Sequence, residues 1–359
     1  MASLQHLSIV NFRSHAIRSI DLAPRTVIVG SNGIGKTNIL EALWLLATTR
    51  SFRTARIEQV VRWDTDATQL QLDDWELIVA RAPQLAKAFK IRGVPKRPIE
   101  YLGTLRAVLF TPDSYRLLVD GPPERRRFLD TLSAQSDRGL ARLLVSYRQI
   151  LKQRNTQLRQ IRFHGAAVED LTIWDDQLIT TALQITAARR QLFDTLTPHV
   201  KAYHTALGRS REVKLALTYQ PSSPVTADQF REKIESVRDR ELATQVTLIG
   251  PHRDTFSILL NGRPAEIHAS RGELRRILLA LKWAEVKLLR AADVPLLLLL
   301  DDVFSEFDAE HRAALFDLTH EVQTVLTTTE LEHLPSDFLD DQTRVVDLGL
   351  SANKVEELV

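Results

Sequence analysis

One strand–loop–helix segment near the start of the chain constrains the fold more than any other feature. An apolar run at residues 26–29 predicts a strand, and residues 38–46 have the composition of a helix. The eight residues between them fit the pattern G-x-x-x-x-G-K-[ST]; they are Gly30, Ser31, Asn32, Gly33, Ile34, Gly35, Lys36 and Thr37. Such a loop directs backbone N–H groups toward phosphate oxygens at a helix N-terminus. The segment therefore predicts nucleotide binding by all eight residues, with Lys36 on the β- and γ-phosphates and Thr37 on Mg²⁺.

The bulk composition excludes several classes of protein. The 359 residues suit two domains, and 44% hydrophobic with 26% charged residues is typical of a globular chain. The absence of cysteine excludes a disulfide framework, a thiolate metal site and a cysteine nucleophile. No secretory signal pattern is present at the start, and the longest apolar run, residues 294–300, is too short to span a bilayer. We therefore expect a cytoplasmic protein with no membrane partner.

A second element supplies carboxylates. Residues 296–300 are five consecutive leucines, which is typical of a parallel strand buried on both faces, and Asp301 and Asp302 follow them. Because ligands bind at the carboxyl ends of such strands, we predict that Asp301 holds Mg²⁺ together with Thr37. We predict that Asp302 polarises the attacking water in catalysis, with Lys36 and Asp301 as its catalytic partners. The alternative is that Asp302 caps the helix that follows.

The chain divides into a predicted head and an inserted arm. Gly121 and the two prolines after it open a mainly helical segment, which predicts an arm over residues 121–240. Residues 1–120 and 241–359 alternate between strand and helix patterns and form the head. Within the head, residues 76–81 and 86–92 predict a hairpin in a small β-rich lobe. Residues 245–249 predict a strand, and residues 258–262 predict a second hairpin.

Two further motifs resemble those of ABC-type ATPases. Residues 270–273, Ser-Arg-Gly-Glu, resemble the signature loop S-x-G-Q, and residues 305–308, Ser-Glu-Phe-Asp, resemble the D-loop. The order of the motifs implies an α/β fold: an ABC-type ATPase head, with a mixed P-loop sheet and a β-rich lobe, plus an inserted α-helical arm domain. The resemblance also implies that Ser270 and Gly272 bind the γ-phosphate of ATP on a second subunit, so that ATP joins two chains head to tail.

Three positions depart from the ABC-type pattern. Glu273 stands where the signature usually has glutamine, and Thr328 and Thr329 stand near the place of the switch histidine of ABC transporters. Val108 is apolar in the strand where a glutamine-bearing loop is expected. We therefore expect slow hydrolysis with binding retained.

The chain resembles the RecF family of recombination mediators, which are bacterial SMC-like ATPases. The matching stretches run nearly from end to end: residues 7–14, 110–112, 121–123, 125–130, 151–155 and, most distinctively, Gly-Pro-His-Arg-Asp at 250–254. The resemblance implies ATP-promoted binding of double-stranded DNA, ATP-dependent dimerisation and weak, DNA-stimulated ATP hydrolysis. It also implies cooperation with RecO and RecR to load the RecA recombinase at single-strand gaps.

Several residues have roles that the sequence leaves open. Residues 121–165 contain ten basic and only three acidic residues, so this segment could contact DNA phosphates; alternatively, it is a solvated helical face. The candidate DNA contacts are Arg148, Lys152, Arg154 and Arg159. Arg13 lies against the nucleotide or ties its own turn, and His252 and Arg253 line the nucleotide pocket or lock the arm to the head.

Three rival functions are weaker matches. An ATPase subunit of an ABC transporter would keep the switch histidine and need a membrane partner. A P-loop kinase of small molecules would have no use for the signature at Ser270. A nuclease-associated SMC-like ATPase is expected to carry a cysteine pair for a zinc hook, and this chain has no cysteine.

Overall fold

The computed structural model of the chain describes residues 3–207, 213–290 and 294–349. The strands are β1 (His6–Phe12), β2 (His15–Asp21), β3 (Arg25–Val29), β4 (Ala67–Leu72), β5 (Trp75–Ala80), β6 (Ala86–Ile91), β7 (Val94–Lys96), β8 (Arg106–Phe110), β9 (Leu215–Gln220), β10 (Thr255–Leu260), β11 (Arg263–Pro264), β12 (Leu296–Asp301), β13 (Gln323–Thr328) and β14 (Thr343–Asp347). The helices are α1 (Lys36–Thr48), α2 (Pro98–Tyr101), α3 (Arg116–Val119), α4 (Pro122–Ser136), α5 (Arg138–His164), α6 (Thr172–Ala206), α7 (Ala227–Thr244), α8 (Ala265–His268), α9 (Arg271–Arg290) and α10 (Ala309–Glu321).

The chain forms two compact units, and the first comprises residues 1–115 and 275–359. Its central sheet has the strand order β14-β3-β13-β12-β8, and all neighbouring pairs are parallel. The leucines of β12 are 0–5% exposed, as expected for a strand that is covered on both faces. A second, antiparallel sheet has the order β2-β1-β4-β5-β6-β7 and includes the predicted hairpin of β5 and β6.

Helix α1 packs on strands of both sheets, and every residue from Ile39 to Thr48 is buried. Ile39, Leu40, Leu43, Leu45 and Leu46 are each fully buried in one hydrophobic cluster that includes residues from both sheets. A helix that is covered on every side in this way is a rigid support. The P-loop therefore ends on a helix that is anchored in the core of this unit.

The second unit comprises residues 116–274 and contains the helical arm. Its core joins α5, α6 and α7, and a three-stranded sheet of order β11-β10-β9 packs on α4 and α6. Strand β9 has no counterpart among the predicted elements. The predicted strand at residues 245–249 is wrong: Gln245 has a left-handed φ of 53° where α7 ends, and the following residues are not paired in a sheet.

The boundary between the units differs from the predicted boundary between arm and head. Residues 241–274, which the pattern grouped with the head, belong to the compact unit of the arm. The reason is long-range pairing, because β10 forms its ladder with β9 and the predicted hairpin partner β11 extends the same sheet. Within the described residues, no helix is both long and apolar enough to cross a membrane.

Candidate nucleotide-binding site

The loop between β3 and α1 has a backbone that requires glycine. Gly35 has φ 108° and ψ 13° at the N-cap of α1, in the left-handed region that favours glycine. A Cβ at this position would lie 2.7 Å from Nε2 of His15 and 2.8 Å from Oγ of Ser14. His15 is itself buried, and its Nε2 lies 3.1 Å from the Gly35 carbonyl oxygen. Burial lowers the pKa of His15, which favours the neutral ring in this contact.

Lys36 folds back over the loop that precedes it. Its Nζ donates hydrogen bonds to the carbonyl oxygens of Gly30 at 2.5 Å and Ser31 at 3.2 Å, and the side chain is buried. Ser31, Asn32 and Gly33 at the tip of the loop are exposed. An ammonium group has three donors, so this arrangement holds the charge at the loop and leaves capacity for a phosphate oxygen.

Thr37 and Asp301 come together although 264 residues separate them in sequence. Thr37 Oγ1 donates to Asp301 Oδ1 at 2.9 Å, and Thr327 Oγ1 donates to the same oxygen at 2.8 Å. Thr327 lies directly opposite Asp301 in the register of β12 and β13. Sequence reasoning missed Thr327; its position at the end of a β-rich segment beside the acidic strand was the available signal.

The oxygen atoms at this point are suitable ligands for Mg²⁺. Asp301 Oδ2 has no recorded partner within the described ranges, and the Thr37 hydroxyl lies beside the carboxylate. Across the same residues, no group of three or more His, Cys, Asp and Glu side chains forms a self-sufficient metal cage. Mg²⁺ commonly takes one or two protein oxygens and completes its shell with water and substrate phosphates, so the two side chains fit that ion.

Asp302 has a fixed and unusual backbone. Its φ is 51°, a left-handed value that aspartate tolerates better than most residues. Its N–H donates to Thr327, with distances of 3.2 Å to the carbonyl oxygen and 3.1 Å to Oγ1. The alternative cap role is filled elsewhere, because Asp308 accepts from the His311 N–H at 3.0 Å at the start of α10. The hydrogen bonds from His311 lower the pKa of Asp308 and so favour the charged cap.

Arg13 ties its own turn to α1. Its Nε and Nη2 donate to the two carboxylate oxygens of Glu41, at 2.9 Å and 2.6 Å, and its Nη1 donates to the Gln59 carbonyl oxygen at 2.9 Å. Glu41 is fully buried and also accepts from Ser51. Of the two roles that the sequence left open, these contacts favour the turn-tying role over contact with the nucleotide.

Ser270 caps α9, and Glu273, which stands where the signature usually has glutamine, is its partner in this cap. The Ser270 N–H and Oγ both donate to Glu273 Oε2 at 2.7 Å, and the Glu273 N–H lies 3.3 Å from Ser270 Oγ. This reciprocal arrangement is a capping box, in which glutamate and glutamine serve equally and the helix dipole favours the negative charge. Ser270 and Gly272 are exposed, so another molecule can reach both residues.

The four candidate DNA contacts occupy different environments. Arg154 is fully buried: it donates to Asp175 and Glu241 at 2.7 Å each and to Thr247 at 2.8 Å. Direct DNA contact by Arg154 is therefore wrong for this structure, because its guanidinium is enclosed by its own unit. Arg148 pairs with Asp130 at 2.9 Å, whereas Lys152 and Arg159 are exposed on α5.

His252 is part of the internal packing of the arm unit. Its Nδ1 lies 2.7 Å from the Tyr147 hydroxyl and its Nε2 lies 3.0 Å from the Thr247 carbonyl oxygen. Burial lowers the pKa of His252 and raises that of Tyr147, so both groups are neutral. Arg253 donates from Nε to the same carbonyl at 3.3 Å. These contacts favour a structural role for both residues, and the partners in these contacts, Tyr147 and Thr247, belong to the arm unit.

The comparisons with known proteins agree with this geometry. The family model described as the RecF/RecN/SMC N terminal domain matches residues 3–334. The chain is 39% identical over 343 residues to the DNA replication and repair protein RecF of Moorella thermoacetica, covering 93% of this chain and 92% of the relative. It is 34% identical over 363 residues to the RecF protein of Picosynechococcus sp., covering 94% and 93%.

Solved structures extend the likeness to three dimensions. The RecF-ATP structure of the RecFOR pathway matches with a TM-score of 0.85 and 25% identity, over 97% of this chain and 96% of that chain. The RecF-ATPrS structure of the same pathway gives 0.83 and 26%, over the same shares. An SmcHead structure, at 15% identity and a TM-score of 0.53 over 96% and 94% of the two chains, shares the fold. The predicted fold class is confirmed, and the chain belongs to the RecF family of DNA replication and repair proteins.

Proposed function

We propose that this chain is an ATP-dependent DNA-binding protein of recombinational repair. The observation that carries the proposal is the hydrogen-bonded chain Thr37–Asp301–Thr327, which joins the P-loop helix to the acidic strand. This is the arrangement that a Mg²⁺–nucleotide site needs, and proteins that match nearly the whole chain are named as RecF and RecF-ATP. The nucleotide is therefore ATP.

Each polar residue of the site has a separate task in this proposal. The P-loop amides and Lys36 bind the phosphates, and Thr37 and Asp301 would hold Mg²⁺, which neutralises phosphate charge when bound. Asp302 orients the water that attacks the γ-phosphate and accepts its proton. The hydroxyl of Thr328 donates to the Glu330 carbonyl oxygen, and Val108 is buried inside β8. Neither position supplies an imidazole or a carboxamide, so hydrolysis is slow.

The proposed function extends to partners, because one chain carries both a P-loop and a signature. The exposed signature, Ser270 and Gly272, binds the γ-phosphate held by a second copy, so ATP drives head-to-tail dimerisation. The dimer binds double-stranded DNA next to single-strand gaps, and slow hydrolysis, stimulated by DNA, regulates this binding. As the RecFOR pathway of the matched structures suggests, the protein acts with RecO and RecR to help load RecA.

The proposed function predicts nucleotide-gated DNA binding. We expect the wild-type protein to bind a labelled gapped duplex at least about tenfold more tightly with Mg²⁺-ATP than without nucleotide, measured by fluorescence anisotropy at one fixed salt concentration. Lys36→Ala should lose this enhancement, because the variant lacks the ammonium at the phosphates. Equal binding with and without ATP in the wild type would overturn the proposal.

A second prediction concerns the signature. Ser270→Arg should bind ATP normally yet remain monomeric at concentrations where the wild type dimerises with ATP, as measured by light scattering after size exclusion. Ser270 is exposed, so the larger side chain fits without disturbing a core; losing the cap costs about 1 kcal/mol. Ser270→Thr keeps the cap hydroxyl and serves as the matched control. An ATP dimer of Ser270→Arg would contradict the head-to-tail arrangement.

A further inference from the structure

A polar groove with one aromatic wall lies on the helical arm between α5 and α6. It is an open depression of about 530 Å³, lined by Ser146, Gln149, Ile150, Lys152 and Gln153 of α5 and by Trp174 and Gln177 of α6. We call it the arm groove. The functions assigned to the P-loop, the signature and the acidic strand leave it unused.

The charge around the arm groove favours an anion. Helix α5 contains no aspartate or glutamate from Arg138 to His164. Lys152 is exposed and has no ion pair with any residue in the described part of the chain. The two carboxylates at the start of α6 are already engaged, because Asp175 binds Arg154 and Arg238 at 2.7 Å and Asp176 binds Arg231 at 3.3 Å. The lining of the groove thus includes one cation and no acid, and the exposed carboxylates of Glu169 and Asp170 lie before the start of α6.

The aromatic wall lies on a well-anchored turn of α6. Trp174 lies next to Asp175, whose carboxylate is fixed by the buried guanidinium of Arg154. Leu171 and Leu178, three residues before and four after Trp174, are fully or almost fully buried and pin the same turn of α6. The Trp174 ring itself is only half-buried. The two buried leucines therefore fix the turn of α6 that carries Trp174 in the groove lining.

The remaining lining groups suit nucleobase edges. Gln149, Gln153 and Gln177 offer amides and Ser146 offers a hydroxyl, and none of these four side chains has a hydrogen bond recorded within residues 3–207, 213–290 and 294–349. Amides and hydroxyls supply both donors and acceptors. In a duplex, the faces of the bases are stacked and their pairing edges are occupied. Only an unpaired base can lie on Trp174 and reach these groups.

We propose that the arm groove binds unpaired nucleotides of single-stranded DNA, with a base stacked on Trp174 and a phosphate on Lys152. Arg159 lies seven residues after Lys152 on the same helix face, about 10 Å along its axis, and is exposed to take a further phosphate. The inference rests on the proposed DNA function, because the single strand in question is the one exposed at a gap. It adds the place where the protein distinguishes that strand from the neighbouring duplex.

The experiment uses the full-length protein and a labelled oligothymidylate, which forms no duplex. Trp174→Ala should weaken its binding about tenfold, while Trp174→Phe, which keeps a stacking ring, should stay within about threefold of the wild type. Lys152→Ala should also weaken binding and should reduce the slope of log K against log salt concentration by about one. Trp63→Ala is the matched control, since Trp63 is 84% exposed and belongs to the first unit.

Two results would overturn the arm groove as a single-strand site. One is a wild-type protein that does not bind the oligonucleotide; the other is a folded Trp174→Ala that binds it as tightly as the wild type and Trp63→Ala do. Either result leaves the proposed function standing if ATP still tightens wild-type binding to the gapped duplex. Conversely, a Trp174-dependent single-strand affinity without any ATP effect supports the groove and removes the gating function.

Discussion

Asp302→Asn should lower steady-state ATP hydrolysis at least about a hundredfold while ATP binding persists. Asparagine has nearly the same shape and tolerates the left-handed backbone at φ 51°, so the hydrogen bonds from the Asp302 N–H to Thr327 survive. What disappears is the carboxylate that accepts a proton from water, and a positioned base of this kind contributes about 10²- to 10⁴-fold. Because the nucleotide is not consumed, the ATP-bound dimer should accumulate.

The measurement is phosphate release with and without DNA, paired with size exclusion in Mg²⁺-ATP. Asp347→Asn is the matched control, since Asp347 ends the parallel strand β14 at the same edge of the sheet and its role of accepting the Gly349 N–H at 2.7 Å is open to asparagine. That control should hydrolyse ATP like the wild type. Unchanged turnover in Asp302→Asn would mean that another residue orients the water.

Much of the fold, and the P-loop part of the site, follow from short-range sequence patterns. Residues 25–29 form the P-loop strand as predicted, and the hairpin of β5 and β6 lies where alternation placed it, because both signals are local. The meeting of Thr37 and Asp301 was also predictable across a long separation. Both residues lie at the carboxyl end of a parallel sheet, so the topology alone brings them together.

Side-chain partners could not be read in the same way. Glu41 as the acceptor of Arg13, and Thr327 as a second donor to Asp301, depend on strand register and on how α1 is rotated. Strand β9 was missed because its ladder with β10 joins segments separated by the whole of α7. The candidate DNA contacts in residues 121–165 were chosen from the number of basic residues there. Such a count cannot distinguish an exposed arginine from a buried one.

For Arg154 a signal was nevertheless present in the sequence. The buried side chains of α5 include Leu140, Leu144, Tyr147 and Leu158, and Arg154 falls between them at the three- and four-residue spacing of a core stripe. An arginine at such a position needs buried acids, and Asp175 and Glu241 provide them from α6 and α7. Periodicity should therefore be applied before charge when basic helices are considered as DNA-binding surfaces.

Arg154→Ala should lower the free energy of unfolding of the arm by about 3–5 kcal/mol, since it leaves the buried Glu241 without its counter-charge and removes one of the two arginines that bind Asp175. Glu241 is fully buried, so its carboxylate cannot be hydrated without opening the packing of the arm, whereas Asp175 keeps its pair with Arg238. Arg142→Ala, at an exposed position of the same helix, should change stability by no more than about 0.5 kcal/mol. Urea unfolding followed by far-ultraviolet circular dichroism measures both.

The charge origin of this loss can be separated from lost volume. Glu241→Gln removes one of the stranded charges while keeping its shape, so the double variant with Arg154→Ala should recover part of the stability that the single variant loses. Recovery would identify the ion cluster, rather than the cavity, as the cause. An Arg154→Ala variant as stable as the wild type would show that the cluster does not hold the arm together.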